Sequence, residues 1–114
     1  MSKKRSRKPK ALDQVRTVIG VAWYRKEQWD RLLEISSDRD NLDDTYEEWK
    51  ANAEASLPML TQEGYVPRKI DVDVEELLRW CNSQKLPVDG DSRSRFTWEK
   101  LHEEVKTNSG MKTR

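Results

Sequence analysis

Four acidic side chains cluster where a predicted strand passes into a predicted helix. Asp71 and Asp73 are two residues apart on the strand, so both project from one face, and Glu75 and Glu76 follow directly. Carboxylates gathered at the carboxyl end of a strand suit Mg²⁺ or Mn²⁺, and parallel sheets bind ligands at that end. The sequence therefore offers Asp71 and Asp73 as a candidate metal site for a metal-assisted enzyme.

The same carboxylates also have a structural explanation, which we favour. Asp73 is suited to cap the following helix. Glu75 and Glu76 fall in the first turn of that helix, where the helix dipole favours negative charge. Asp71 then simply faces solvent. Under this interpretation we expect no metal and no cofactor, and we favour a non-enzymatic function.

The basic N-terminus is a second candidate for function. The first ten residues carry six cations and no acid, and since the whole chain has a net charge of +1, the remainder is acidic. Such a block could contact nucleic acid by releasing counterions, serve as a localisation or membrane-surface patch, attract an acidic partner, or only keep the chain soluble. The acidic body argues against a broad nucleic-acid surface. The candidate binding residues of this tail are Lys3, Lys4, Arg5, Arg7, Lys8 and Lys10.

The remaining reactive side chains are isolated in the sequence. Cys81 is the single cysteine and His102 the single histidine, so the sequence lacks the ligands of a zinc site. A Cys/His nucleophile pair would need a proximity that the spacing does not predict. Cys81 falls on the apolar face of its helix, which favours a small buried hydrophobe. The four glycines stand apart, so we predict no phosphate-binding loop.

Five tryptophans supply much of the large apolar area, and core packing explains most of them. Trp80 differs because it lies off the main stripe of its helix, which Leu77, Leu78 and Cys81 form. Since tryptophan is enriched among the residues that dominate interfaces, Trp80 is a candidate interface residue.

Hydrophobic periodicity divides the chain into two strands and four helices. The run around Gly20 is almost continuously apolar, which is typical of a strand covered on both faces, and Gly20 would permit a close approach. Pro58 predicts a kink or the meeting of two helices. In the last helix, Trp98 and Leu101 belong to the predicted inward stripe. The predicted strands are 15–23 and 66–72, and the predicted helices are 26–36, 44–64, 74–84 and 91–107.

These elements predict an α/β fold with the order β-α-α-β-α-α. We expect a single small domain over 14–108, a disordered basic tail over 1–13 and a frayed C-terminus over 109–114. The long helical crossover lets the two strands run parallel under covering helices. So small a sheet motivates a further hypothesis, in which a partner chain pairs with an exposed edge to form a homodimer.

Composition favours a cytoplasmic protein. A single cysteine permits no internal disulfide, and no apolar run approaches the roughly 20 residues that a membrane span needs. The best functional hypothesis is a small intracellular interaction protein that binds another protein or itself. The alternatives are a nucleic-acid-binding accessory protein acting through the tail, and a metal-assisted enzyme acting through Asp71 and Asp73.

One set of motifs combines aromatic and acidic residues: Trp23-Tyr24, Gln28-Trp29, Thr45-Tyr46-Glu47-Glu48-Trp49, Asp71-Val72-Asp73-Val74-Glu75-Glu76-Leu77 and Trp80-Cys81. In this pattern, which covers about 18–105 and omits the tail, the chain resembles a family of small uncharacterised bacterial proteins. The resemblance implies no activity, because none is assigned to that family, and it transfers no functional residues to this sequence.

Overall fold

A computed structural model of the chain describes residues 17–112, with side chains described as far as residue 104. The predicted tail and its basic residues lie outside the described residues. The described part is a mixed α/β fold with the predicted order β-α-α-β-α-α. Two short 3-10 turns accompany the main elements, which are β1 (Thr17–Trp23), α1 (Trp29–Ile35), α2 (Tyr46–Gln62), β2 (Tyr65–Asp71), α3 (Val74–Gln84) and α4 (Gly90–Lys112).

β1 and β2 form a two-stranded parallel sheet, as the sequence predicts. Thr17 lies opposite Tyr65 at one end of the register, and Trp23 lies opposite Asp71 at the other. Within residues 17–112 the sheet has no third strand. Because two strands alone are at best marginally stable in water, the surrounding helices must supply most of the apolar burial.

Helix α4 passes close over β1 at Gly20. A Cβ atom on Gly20 would lie 3.3 Å from Ile70 Cγ1, 3.3 Å from Thr97 Cγ2 and 3.5 Å from Leu101 Cβ. A Cβ atom at this position would therefore require Ile70 and Thr97 to shift by a few tenths of an ångström. The close approach predicted from this glycine is confirmed.

The helix ends follow the local signals in the sequence. The Asp73 carboxylate caps α3 by accepting from the Glu76 N–H (3.0 Å), and the Thr45 hydroxyl caps α2 by accepting from the Glu48 N–H (3.1 Å). Gly64 follows α2 with φ of +98°, a backbone angle that favours glycine. α2 passes through Pro58 as one helix, so the prediction of two helices meeting there is wrong.

The core lies between the sheet and the helices and includes an aromatic cluster. Within this cluster, neighbouring ring centroids lie 5.2 to 6.2 Å apart, a spacing typical of favourable aromatic pairs. Cys81 is fully buried, as predicted for a small hydrophobe. The aromatic cluster consists of Trp23, Tyr24, Trp29, Tyr46 and Trp49. The largest fully buried side chains are Leu32, Ile70, Leu77, Val72, Val74 and Cys81.

The inward face of α4 differs from the predicted stripe. Phe96, Thr97 and Leu101 are buried, whereas Trp98 is 59% exposed. The apolar pattern was misleading because the buried row also contains polar residues. One of these is Thr97, whose hydroxyl is buried and donates to the Arg93 carbonyl (2.7 Å).

α4 also extends to Lys112, beyond its predicted end and into the segment expected to fray. No helix in the described part of the chain is long and apolar enough to cross a membrane.

Candidate functional site

Asp71, one of the two candidate metal ligands, lies at the carboxyl end of β2 and is bound by Arg25. The Arg25 guanidinium donates from Nε to Asp71 Oδ1 (3.1 Å) and from Nη2 to Oδ2 (2.6 Å). A third hydrogen bond reaches Asp73 Oδ2 (3.3 Å). The structure thus brings the two predicted ligands together, with a cationic side chain bound to both.

The other three carboxylates of this cluster also have partners within the chain. The Glu76 N–H bond to Asp73 is the main reason that the pKa of Asp73 lies below its ordinary value. Glu75 accepts from Arg31 Nε (2.7 Å), and Glu76 accepts from Lys100 Nζ (3.0 Å). The cluster therefore joins the beginning of α3 to three other parts of the chain, which are the segment after β1, helix α1 and helix α4. This role is structural.

Other sites for chemistry do not assemble in the described residues. Among them, no group of three or more histidine, cysteine, aspartate or glutamate side chains is arranged to hold a metal ion. Burial raises the pKa of the Cys81 thiol, which disfavours the nucleophilic thiolate. His102 is exposed on α4, where its ring stacks on Trp98 with 3.9 Å between centroids.

Trp80, the candidate interface residue, has several partners inside the chain. Its indole N–H donates to Glu99 Oε1 (3.2 Å), and its ring meets the edge of Phe96 with centroids 5.6 Å apart. Trp80 is partly buried against the core. An interface role for it stays a prediction, and the more exposed tryptophan is Trp98.

A groove of about 630 Å³ lies along β1, between this strand and α4. Its volume falls within the range of small-molecule sites in proteins. Val18, Gly20 and Ala22 line it from the strand, and Trp98 and Leu101 line it from the helix. The walls are therefore mainly apolar, and Val18 is 40% exposed.

One long side of this groove is the edge of β1 that faces away from β2. The Val72 N–H donates to the Trp23 carbonyl (3.1 Å). Because backbone groups alternate in direction along a strand, the odd-numbered residues of β1 bond to β2. Val18, Gly20 and Ala22 consequently direct their N–H and C=O groups to the opposite side. Within residues 17–112 no strand pairs with that side.

The outer edge of β2 has a different chemistry from the edge of β1. Pro67, Lys69 and Asp71 direct their backbone toward this edge, and proline has no N–H to offer. Proline and charged residues are the usual means by which proteins protect a strand edge from further pairing. β1 has the sequence Thr-Val-Ile-Gly-Val-Ala-Trp, with no charge and no proline, so its edge lacks that protection.

One row of α4 residues along the groove is also free of permanent charge. Ser94, Trp98 and His102 follow one another at intervals of four residues and line the groove. Charged residues make up 38% of the chain, and both Arg95 and Glu99 lie next to this row. The edge of β1 and this row of α4 are both uncharged parts of the groove, whose lining also includes Arg93.

A buried ion pair holds the first turns of α4 at the end of the groove. Arg93, which is 9% exposed and lines the groove, donates to both oxygens of Asp38 (2.9 and 2.7 Å). It also donates to the Ser36 hydroxyl (3.2 Å), and the Gly90 N–H donates to Asp38 (3.1 Å). Nearby, burial raises the pKa of Tyr24 to about 12.

Sequence reasoning missed the groove because it placed Trp98 on the inward face of α4 together with Leu101, which is buried as predicted. Trp98 was counted among core residues, although it lies beside β1 and is largely exposed. One signal was available: β1 has neither charge nor proline, whereas β2 contains Pro67, Lys69 and Asp71. The predicted first strand, 15–23, also contains Arg16, so the contrast is complete only for the observed strand Thr17–Trp23.

Comparisons of the chain with protein-family models, with curated proteins and with solved structures found no match. The family resemblance noted from the sequence therefore stays a prediction. The function has to be argued from the geometry of the groove and of the β1 edge.

Proposed function

We propose that this chain is a non-enzymatic interaction protein that binds an extended polypeptide segment along the edge of β1. The observation that supports this most directly is the unprotected, uncharged β1 edge beside an apolar groove. Extended segments commonly bind by adding a strand to such an edge. Main-chain hydrogen bonds then supply affinity, and the neighbouring groove accepts alternate side chains.

Three features support strand addition rather than capture of a compact ligand. The outward N–H and C=O groups of Val18, Gly20 and Ala22 form a repeating row. The groove runs beside that row, and Val18, Gly20 and Ala22 all line it. Trp98 is 59% exposed at its rim, and a tryptophan beside a binding edge is the kind of residue that contributes strongly to affinity.

The predicted localisation, basic tail and metal site can each be related to this proposal. We place the protein in the cytoplasm, where a single buried thiol would stay reduced. The basic tail would attract an acidic partner, or nucleic acid, by long-range electrostatics. A metal-assisted reaction at Asp71 and Asp73 would first require Arg25 to release them. Calorimetric titration with Mg²⁺ tests that alternative, since only a metal site would give heat that Asp71→Asn removes.

Selection from a displayed library of random decapeptides tests the proposal. The protein is immobilised at low density so that copies do not meet. We expect it to select peptides with alternating apolar residues, and Trp98→Glu to weaken their binding by about 30-fold, the usual effect at a dominant contact. Met59→Glu is a matched control, because Met59 on α2 is also 59% exposed and does not line the groove.

Two results would contradict the proposal. Peptides that bind Trp98→Glu as tightly as the parent chain would place the binding surface elsewhere. Backbone amides of Val18, Gly20 and Ala22 that exchange rapidly with and without a selected peptide would show that no strand is added at β1.

A further inference from the structure

We propose that the segment added to β1 is β1 of a second copy of this chain, paired antiparallel about a two-fold axis at Gly20. This inference rests on the proposed function and names its partner. The two sheets would join into one of four strands, in the order β2, β1, partner β1, partner β2. Four strands is an ordinary size for a stable sheet, whereas two is not.

The length of β1 determines the register. Gly20 is the central residue of Thr17–Trp23, so pairing Gly20 with its own copy is the register that aligns the entire strand. Val18 then lies opposite Ala22 of the other copy. All three residues direct their N–H and C=O groups outward, so each outward group meets a complementary one, as in an isologous dimer.

The absence of charge makes β1 compatible with its own copy. A charged residue at the centre of a strand that pairs with itself lies opposite its own copy, and like charges opposite each other are destabilising. Residues 17–23 contain none. The outer edge of β2 is less suited to pairing in this way, because Pro67 lacks an N–H and the central residue of the strand, Arg68, would face its own copy.

The position of α4 beside the β1 edge is also compatible with a second copy of the chain. A two-fold axis perpendicular to the sheet places both copies of α4 on the same face, so the uncharged rows of Ser94, Trp98 and His102 approach each other. Trp98 and Val18, which are 59% and 40% exposed in one chain, would become buried between the two copies. Gly20 has no side chain, so the central pair adds no bulk beneath α4.

Sedimentation of the full chain from low to high micromolar concentration tests this inference. We expect a dimer whose dissociation constant rises at least about 30-fold in Trp98→Glu, with Met59→Glu unchanged. Val18→Pro is a second variant, since it removes an outward N–H near the start of the strand, where proline is tolerated. It should abolish the dimer, with circular dichroism showing that the monomer remains folded.

Isotope-filtered NMR of a mixed labelled dimer tests the register directly. Pairing about Gly20 makes Ile19 of one copy and Val21 of the other a non-hydrogen-bonded pair, whose Cα atoms approach to about 4.5 Å. An intermolecular NOE between their Hα protons is expected. A dimer that lacks this NOE, or that persists in Trp98→Glu and Val18→Pro, would overturn the inference.

Failure of this inference can be distinguished from failure of the proposed function. The chain could stay monomeric while a selected peptide protects the amides of Val18, Gly20 and Ala22 from exchange. That result would overturn the dimer and leave the proposed function standing. A monomer whose amides are already protected, and lose protection when residues 1–16 are deleted, shows that the chain covers its own edge and overturns both. Unprotected amides at every concentration, with no peptide selected, also overturn both.

Discussion

Asp38→Asn tests the ion pair that holds α4 beside β1. The substitution keeps the shape of the side chain and an oxygen that can still accept from the Gly90 N–H. It removes the negative charge that faces Arg93. The guanidinium would then stay in a site where its side chain is 10% exposed, without a counterion.

The magnitude follows from the burial of the pair. Removing one partner of a buried ion pair usually costs about 3 to 5 kcal/mol, because the remaining charge is left uncompensated. The Asp38 side chain is 16% exposed, so water reaches part of the site and the lower end applies. We expect Asp38→Asn to lower the free energy of unfolding by about 3 kcal/mol. Since the pair positions one wall of the groove, binding at β1 should weaken as well.

Urea denaturation followed by tryptophan fluorescence measures this loss, at several protein concentrations so that any dimer contribution is recognised. The matched control is Glu75→Gln, which breaks the more exposed pair with Arg31 and should cost far less. Arg93→Met in the Asp38→Asn background should recover part of the loss, because no buried cation then remains. If Asp38→Asn costs no more than Glu75→Gln, the reasoning is refuted.

The same pair predicts a dependence on acid. The Arg93 hydrogen bonds hold the pKa of Asp38 below its ordinary value, which is about 3.9 in an unfolded chain. A carboxyl whose pKa is lowered by folding contributes its full stability above that ordinary value and loses it as the pH falls through the folded value. The difference in stability between the parent chain and Asp38→Asn should therefore shrink below about pH 4.

Three further predictions concern single features of the chain. Gly20→Ala should cost about 1 to 3 kcal/mol in urea denaturation, as overpacking does, because its Cβ would press on Ile70 and Thr97; an unchanged stability would show that α4 shifts freely. Burial raises the pKa of Tyr24 to about 12. The stability that its buried neutral form contributes should therefore be complete below about pH 10 and lost as the pH approaches 12. Tyr24→Phe should remove that loss in alkaline denaturation. Deleting residues 1–10 should abolish any salt-sensitive binding to heparin or single-stranded DNA; binding that survives the deletion would exclude the tail as its source.

The fold was largely predictable because its main signals are local. The change from alternating to helical spacing at Val72–Val74 identifies a strand passing into a helix, and Asp73 identifies the cap between them. Both signals depend on residues within a few positions of each other. The structure places β2, the cap and α3 where these signals predicted.

The surroundings of the site were less predictable because they depend on contacts between distant residues. Arg25 binds Asp71 across 46 positions of the sequence, and Arg93 binds Asp38 across 55. Hydrophobic periodicity treats arginine as a surface residue. A helix that buries an arginine is therefore easily assigned the wrong inward residues. For that reason Trp98 was assigned to the core although it is exposed.

The contrast between the two sheet edges is the part of this structure that stability alone does not explain. Both edges belong to the same small sheet, and protecting both with charge or proline would be the safer arrangement against aggregation. The chain protects β2 with Pro67, Lys69 and Asp71 and leaves β1 uncharged. It also exposes Trp98 beside the unprotected edge rather than beside the protected one. Packing against α4 and Trp49 accounts for the apolar character of β1, and the proposed strand addition would account for the absence of any charge or proline at its outward edge.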